Sequence, residues 1–240
     1  EATIALHTVF NSPVDHIVYD VSHQTYPHKM LTGRKQAYMD PALYDSVSPY
    51  TDPAETPHDL FKIGHTSTSI SLALGLAKAR DIMGGKENII AVIGDGSMSG
   101  GEALEGLNVA GELNSNFIIV FNDNQMSISE NHGGMYDQFA ELRRTNGVAE
   151  NNLFKSMGLD YLYVNDGNDI EALIAAFEQV KDSTHPVVVH INTLKGKGYA
   201  PAEANKEKWH WHMPFDIQTG QSPESGSSES YASIFAEYAL

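Results

Sequence analysis

Ile89-Ile-Ala-Val-Ile-Gly-Asp-Gly96 and Phe117-Ile-Ile-Val-Phe-Asn-Asp-Asn124 are two unbroken apolar runs, each closing on a short polar cluster. Apolar runs of this length and continuity read as strands buried on both faces, the habit of parallel sheets. Between them, residues 97–112 carry Ala103, Leu104, Leu107 and Ala110 at helical spacing. Strand, amphipathic helix and returning strand make one βαβ unit. That unit brings Gly94-Asp95-Gly96 and Asn122-Asp123-Asn124 to the carboxyl ends of two strands, the edge at which open α/β sheets bind ligands.

The same alternation extends in both directions. A helix over 1–10 leads to a strand at 17–20. Residues 35–60 read as a loop with prolines at 41, 49, 53 and 57, long enough to imply a functional or packing role. A mostly apolar, deeply buried helix covers 66–83, followed by a strand at 89–94, a helix at 99–113 and a strand at 117–122. Residues 132–150 are polar, with a helical piece near 136–144. A strand at 161–164, a helix at 169–181 capped by Asn168 or Asp169, and a strand at 186–193 complete the pattern. The expected fold is α/β: a parallel sheet with helices on both faces. It forms one large domain over 1–219, with a Gly/Ser/Pro-rich linker at 220–228 and a helix over 229–240 that opens a further domain.

The chain of 240 residues is 41% hydrophobic, sufficient for a sizeable core, and has a net charge of −16 from 15 basic and 31 acidic residues. That balance argues against nucleic acid or an anionic membrane as partner. It does not argue against an anionic cofactor, because a bound metal reverses the local sign. There is no cysteine, hence no disulfide framework. No apolar run approaches a membrane span, and no signal peptide is visible.

Gly-Asp-Gly or Asn-Asp-Asn alone is an ordinary turn former after a strand. Both, at the two ends of one βαβ unit, resemble the motif that holds thiamine diphosphate through a divalent metal. A diphosphate in a dry cleft needs a hard cation, and hard cations take oxygen ligands. Asp95 supplies a carboxylate, Asn124 an amide oxygen, and a backbone carbonyl just beyond completes the protein's share. Gly96 lets the backbone approach a phosphate, and the helix N-terminus that follows, beginning at Ser97, points N–H groups at it.

Four blocks carry the resemblance to a family: Asp20-Val-Ser-His-Gln-Thr-Tyr-Pro-His-Lys-Met-Leu-Thr-Gly-Arg34, Gly64-His-Thr-Ser-Thr-Ser-Ile-Ser71, Asn122-Asp-Asn-Gln-Met-Ser-Ile-Ser-Glu-Asn131 and Lys195-Gly-Lys-Gly-Tyr-Ala-Pro-Ala-Glu203. In this order they resemble the 1-deoxy-D-xylulose-5-phosphate synthases, transketolase-like thiamine enzymes. The resemblance implies thiamine diphosphate and Mg²⁺ as cofactors. It implies that Asp95, Asn124 and Met126 hold the metal, Met126 through its main-chain carbonyl. It carries His23, Gly64, His65, Thr66, Gly96, Ser97, Asn124 and Tyr199 onto the cofactor, with His23 and His65 as catalytic residues. His23 lies near the reactive carbon, placed to move protons at the acceptor's carbonyl. The implied reaction condenses pyruvate with D-glyceraldehyde 3-phosphate, releasing carbon dioxide. A homodimer and a cytoplasmic location are implied as well.

His28, in the block with His23, is open to a purely structural role. Lys197, in a Gly-rich loop, reads as solvated. Trp209-His-Trp-His212 places two histidines on one face but offers no third ligand, which favours packing over metal. The chain starts at Glu1, without the helix and histidine-bearing turn that precede this point in the family. The carboxylate that activates the aminopyrimidine is expected from a pyrimidine-binding domain or subunit absent here. We therefore read the chain as the diphosphate-binding part of a longer or split enzyme.

Other chemistries lack their residues. There is no Gly-x-x-x-x-Gly-Lys-Ser/Thr, and Gly94-x-Gly96 leads to Ser99 where a dinucleotide fingerprint has glycine. No Ser-His-Asp or Cys-His elbow is present. Two departures touch the substrate side: Val47-Ser-Pro-Tyr-Thr-Asp-Pro53 replaces a His-Pro-Phe-Pro segment, and the family's long insertion after Ser-Ile-Ser-Glu-Asn is short here. They leave the cofactor assignment intact and the donor and acceptor open, so that a transketolase-like subunit transferring a two-carbon ketol is an alternative; a non-catalytic thiamine diphosphate-binding module is another, since half the site is expected elsewhere.

Overall fold

A computed structural model describes residues 1–222 and 230–239. They divide into two compact units, Glu1–Lys195 and Gly196–Leu240. Within the first, the two apolar runs form β2 (Ile89–Gly94) and β3 (Ile118–Asp123), flanked by β1 (His16–Tyr19), β4 (Asp160–Val164) and β5 (Val187–Asn192). All pairings are parallel, and the order across the sheet is β1-β2-β3-β5-β4. The registers put Gly94 beside Asn122 and Asp123 beside Asn192. The two polar clusters therefore end level, as the βαβ reading requires.

The helices of this unit are α1 (Ala2–Val9), α2 (Tyr26–Lys29), α3 (Gln36–Met39), α4 (Ser69–Met83), α5 (Asp95–Met98), α6 (Gly101–Ala110), α7 (Gly134–Arg144), α8 (Leu153–Ser156) and α9 (Ile170–Val180). Strand alternation sorts the core into two layers. Ile89, Ala91, Ile93, Phe117, Ile119, Phe121 and Val188 pack with α4, α6 and α7 through Ala73, Leu107 and Phe139. Ile90, Ile118, Val120, Val189 and Ile191 pack with α1 and α9 through Leu6, Leu173 and Phe177. Helices thus cover both faces of the parallel sheet.

Several boundaries differ from the periodicity. The helix expected over 66–83 starts at Ser69, because Ser67 takes a left-handed φ of 75°. The Asp20 carboxylate, just past β1, accepts the N–H groups of Ser67 at 2.9 Å and Ser69 at 3.0 Å. The helix expected over 99–113 is α6, Gly101–Ala110, and a separate single turn, α5, precedes it, with Ser99–Gly100 between the two. A Cβ on Gly100 would lie 2.0 Å from the Ser67 Oγ, so the loop entering α4 presses into that break. The stretch 35–60, expected as loop, contains α3 and a 3-10 helix at Pro41–Ser46 capped by the Asp40 carboxylate. Asp169, not Asn168, caps α9, accepting from Glu171 at 2.9 Å. Asn168 instead accepts from Leu194.

The second unit contains α10 (Ala200–Ala204) and α11 (Tyr231–Ala239). Around Trp209 it gathers the rings of Tyr199, His212 and Phe215, with His212 stacked at 4.2 Å. The expected linker over 220–228 lies, from residue 223 on, outside the described residues, and so do Glu229 and Leu240. No helix among the described residues is long and apolar enough to cross a membrane.

Candidate functional site

The deepest polar cluster lies at the carboxyl ends of β2 and β3. Asp95 is 2% exposed and Asp123 1%. Alternation explains why: Asp123 continues the Ile119, Phe121 face of β3, and Asp95 follows Ile93 by two residues. Two carboxylates consequently meet in the core. Asp95 Oδ1 accepts the Gly96 N–H at 2.8 Å, while its buried Oδ2 has no hydrogen-bond partner. Burial, and then the neighbouring Asp123 charge, push the Asp95 carboxyl up to about 7.

Asp123 is the opposite case. Its Oδ2 receives the Arg143 guanidinium and the His190 Nε2–H, the latter at 2.9 Å. Its Oδ1 accepts the Gln125 N–H at 3.1 Å. Burial works against the charged form, but the His190 and Arg143 contacts hold Asp123 below the usual carboxylate range. His190, fully buried on β5, is held below its usual range by burial and takes the Tyr161 hydroxyl on Nδ1 at 2.7 Å. The motif triplet contained Asp123, yet residue type alone singled out Asn124. The strand period, placing Asp123 on the face of Phe121, was the signal that finds it.

Asn124 is half-buried, and its Oδ1 accepts the Met126 N–H at 3.1 Å. An amide oxygen has two lone pairs, so one remains for a cation. Beyond it the chain turns back through a Met126–Glu130 bridge, and the Lys195 ammonium donates to the Ser127 carbonyl. Gly96 faces this turn: a Cβ there would come within 2.7 Å of the Ser127 Cβ. Close approach is the reason for glycine at that position. Ser97 is buried in α5, and its carbonyl accepts the Ser67 hydroxyl at 2.8 Å. Through that bond the Gly64-His65-Thr66 loop is tied to the Asp95 loop. Gly64, His65 and Thr66 are themselves exposed.

His23 is exposed on the loop after β1. Its neighbour Ser22 donates to the Ile63 carbonyl and accepts the Thr51 N–H at 3.0 Å, which joins the His23 loop to the one bearing His65. His28 is wholly buried. Its Nε2–H donates to Asp59 at 2.9 Å, and its Nδ1 accepts from His7 at 2.8 Å. It belongs to the scaffold. Tyr199 lies in the second unit, its hydroxyl buried without a hydrogen-bond partner beside the Trp209 and Phe215 rings.

No group of three His, Cys, Asp or Glu that could hold a metal occurs among the described residues. The donor set at Asp95 is of another kind: one carboxylate with an orphaned oxygen, one amide oxygen and one main-chain carbonyl. All are oxygens, as a hard divalent cation requires.

The model of the 1-deoxy-D-xylulose-5-phosphate synthase family matches residues 1–151 and 143–193. The chain belongs to this family. The two matched segments meet at 143–151, within the region where the family's insertion was expected to be short. Synthase 1 of Geobacter sulfurreducens is 41% identical over 276 residues, spanning 99% of this chain and 43% of that protein. The Pelotomaculum thermopropionicum enzyme is 38% identical over 270 residues, spanning 98% and 42%. The chain thus spans about two-fifths of the length of the curated relatives it matches. Among solved structures, transketolase from Campylobacter jejuni matches with a TM-score of 0.65 at 23% identity, over 85% of this chain and 34% of that one. Transketolase from Leishmania mexicana matches with a TM-score of 0.56 at 20% identity, over 74% and 28%. These likenesses show the fold.

Proposed function

We propose that this chain is the diphosphate-binding part of a thiamine diphosphate- and Mg²⁺-dependent enzyme. The complete enzyme condenses pyruvate with D-glyceraldehyde 3-phosphate to 1-deoxy-D-xylulose 5-phosphate and carbon dioxide. The observation that carries the reading is the buried, unpartnered Asp95 Oδ2 at the β2–β3 edge of a chain in this family. A second buried carboxylate beside it makes a cation the fitting occupant.

Asp95, Asn124 and the Met126 carbonyl would hold Mg²⁺. The main-chain groups of Gly96 and Ser97, with Gly64, His65 and Thr66, would hold the diphosphate. When bound, the cofactor supplies the carbanion chemistry that removes carbon dioxide from a 2-oxo acid. The protein's task is to orient it, and His23 moves a proton at the acceptor carbonyl. The residues that activate the aminopyrimidine would come from the remaining length seen in the relatives.

The test is calorimetric titration of the 240-residue chain with thiamine diphosphate, with and without Mg²⁺. Binding should require the metal, and Asp95→Ala should abolish it. Equal binding by that variant in Mg²⁺ would overturn the assignment. In the complete enzyme, His23→Ala should lower turnover at least about a hundredfold while cofactor affinity shifts by less than about tenfold. Equal losses in both would make His23 a binding residue.

A further inference from the structure

Asp123 is buried more completely than the residue assigned to the cation next to it, and the assigned reaction gives it no task. Its contacts point to one. Gln125 takes a left-handed φ of 70°, an uncommon conformation for a residue with a side chain. It stands between two groups proposed for the cation, the Asn124 amide oxygen and the Met126 carbonyl. The direction of the Met126 carbonyl therefore depends on the backbone torsions of this turn. Asp123 Oδ1 accepts the Gln125 N–H at 3.1 Å, and Asn124 Oδ1 accepts the Met126 N–H at 3.1 Å. The Gln125 carbonyl in turn accepts the Asn131 N–H at 3.2 Å.

Behind the turn, Asp123 is anchored from two elements. Arg143 reaches its Oδ2 from α7, and His190 reaches the same oxygen from β5, itself fixed by the Tyr161 hydroxyl from β4. Oδ2 of this carboxylate is thus doubly engaged, and Oδ1 takes the Gln125 amide. The guanidinium also cancels its charge locally.

We propose that Asp123 is a positioning residue for the divalent cation. Backed by Arg143 and His190, it holds the strained Gln125 turn so that Asn124 and the Met126 carbonyl face Asp95. This rests on the cofactor reading above. It makes the Asp123 side chain necessary only because residue 125 is not glycine. A glycine there adopts the left-handed turn without help.

The experiment measures Mn²⁺ binding by electron paramagnetic resonance on the 240-residue chain in saturating thiamine diphosphate, with a thermal melt of each variant. Asp123→Asn should weaken Mn²⁺ binding by about tenfold or more, the scale set by releasing one strained residue. Gln125→Gly alone should stay within about threefold of wild type, and the double variant should recover to the same range. Failure of Gln125→Gly to rescue Asp123→Asn would overturn the proposal, because a ligand or a bare charge is not restored by backbone freedom. Arg143→Met decides the matter should Asp123→Asn fail to fold. Loss of the anchor should weaken Mn²⁺ binding, whereas unchanged or tighter binding would mean that Asp123 acts through its charge. If the wild-type chain binds no Mn²⁺, the cofactor reading falls and this inference with it. If wild type binds and Asp95→Ala does not, failure of the rescue sinks the inference alone.

Discussion

Two buried polar clusters lie at the carboxyl end of the same sheet and differ in their bookkeeping of charge. Beyond β1, the Asp59 carboxylate receives His28 at 2.9 Å, Arg34 at 2.6 and 2.9 Å, and the Asp52 N–H at 2.8 Å. Arg34 and the fully buried Lys29 share Glu55 at 2.8 and 2.7 Å. There the buried charges are matched by opposite ones. Beyond β2 and β3, two carboxylates face each other with Arg143 answering one of them, and Asp95 Oδ2 is left over. Burying a charge is tolerable when it is paired. A matched cluster is a scaffold that ties two loops together; an unmatched one leaves a buried carboxyl oxygen without a partner.

The largest expected effect is on the matched side. Asp59→Ala takes the carboxylate from buried His28 and leaves Arg34 with Glu55 alone, and removing one partner of a buried pair costs about 3–5 kcal/mol. Urea unfolding of the variant measures it. A loss below about 1 kcal/mol, the range of exposed pairs, would erase the distinction between the clusters.

On the unmatched side the sign reverses. The Asp95 carboxyl is raised to about 7 in the folded chain, whereas an unfolded aspartate titrates near about 3.9. Its contribution to stability is complete below the unfolded value and is lost as pH rises through about 7. Without divalent cations at pH 8, Asp95→Asn should therefore be more stable than wild type by up to about 4 kcal/mol. The difference should vanish toward pH 4. Unfolding midpoints against pH in a chelator test this, and a destabilised Asp95→Asn would mean that the cluster is matched after all.

The smallest effect sharpens the comparison from within the scaffold. Burial first, then the nearby His28 and His58, lower His7 to about 4. Unfolded histidine, near about 6.5, takes up a proton that the folded ring refuses. The associated stability is present above about 6.5 and is lost as pH falls toward 4. His7→Gln, which keeps a donor for His28, should flatten that slope by less than about 1 kcal/mol, because the ring is only partly buried and solvent screens it. An unchanged slope would assign it to other groups.

Most of the fold was legible because burial writes a period into the chain. The runs ending at Gly94 and Asn122 gave strands within a residue or two, and their polar endings fell level at one edge of the sheet. Boundaries were less legible where another part of the chain intervenes. The start of α4 at Ser69 depends on the Asp20 carboxylate, 49 residues away. The break before α6 depends on the Ser67 side chain pressing on Gly100. The helices within 35–60 are short, and prolines obscured them.

At the site, residue types by themselves pointed to Asp95, Asn124 and the glycine between the loops as candidates, because oxygen donors and a close backbone approach are properties of single residues. Which polar groups are matched is a property of pairs distant in sequence. Asp123 with Arg143 and His190, and His28 with Asp59 and His7, became partners only when the sheet closed and α7 and the loops packed over its edge. Folding put His28 in the scaffold and left Asp95 without a partner, since burial turns an unanswered charge into a demand for a ligand.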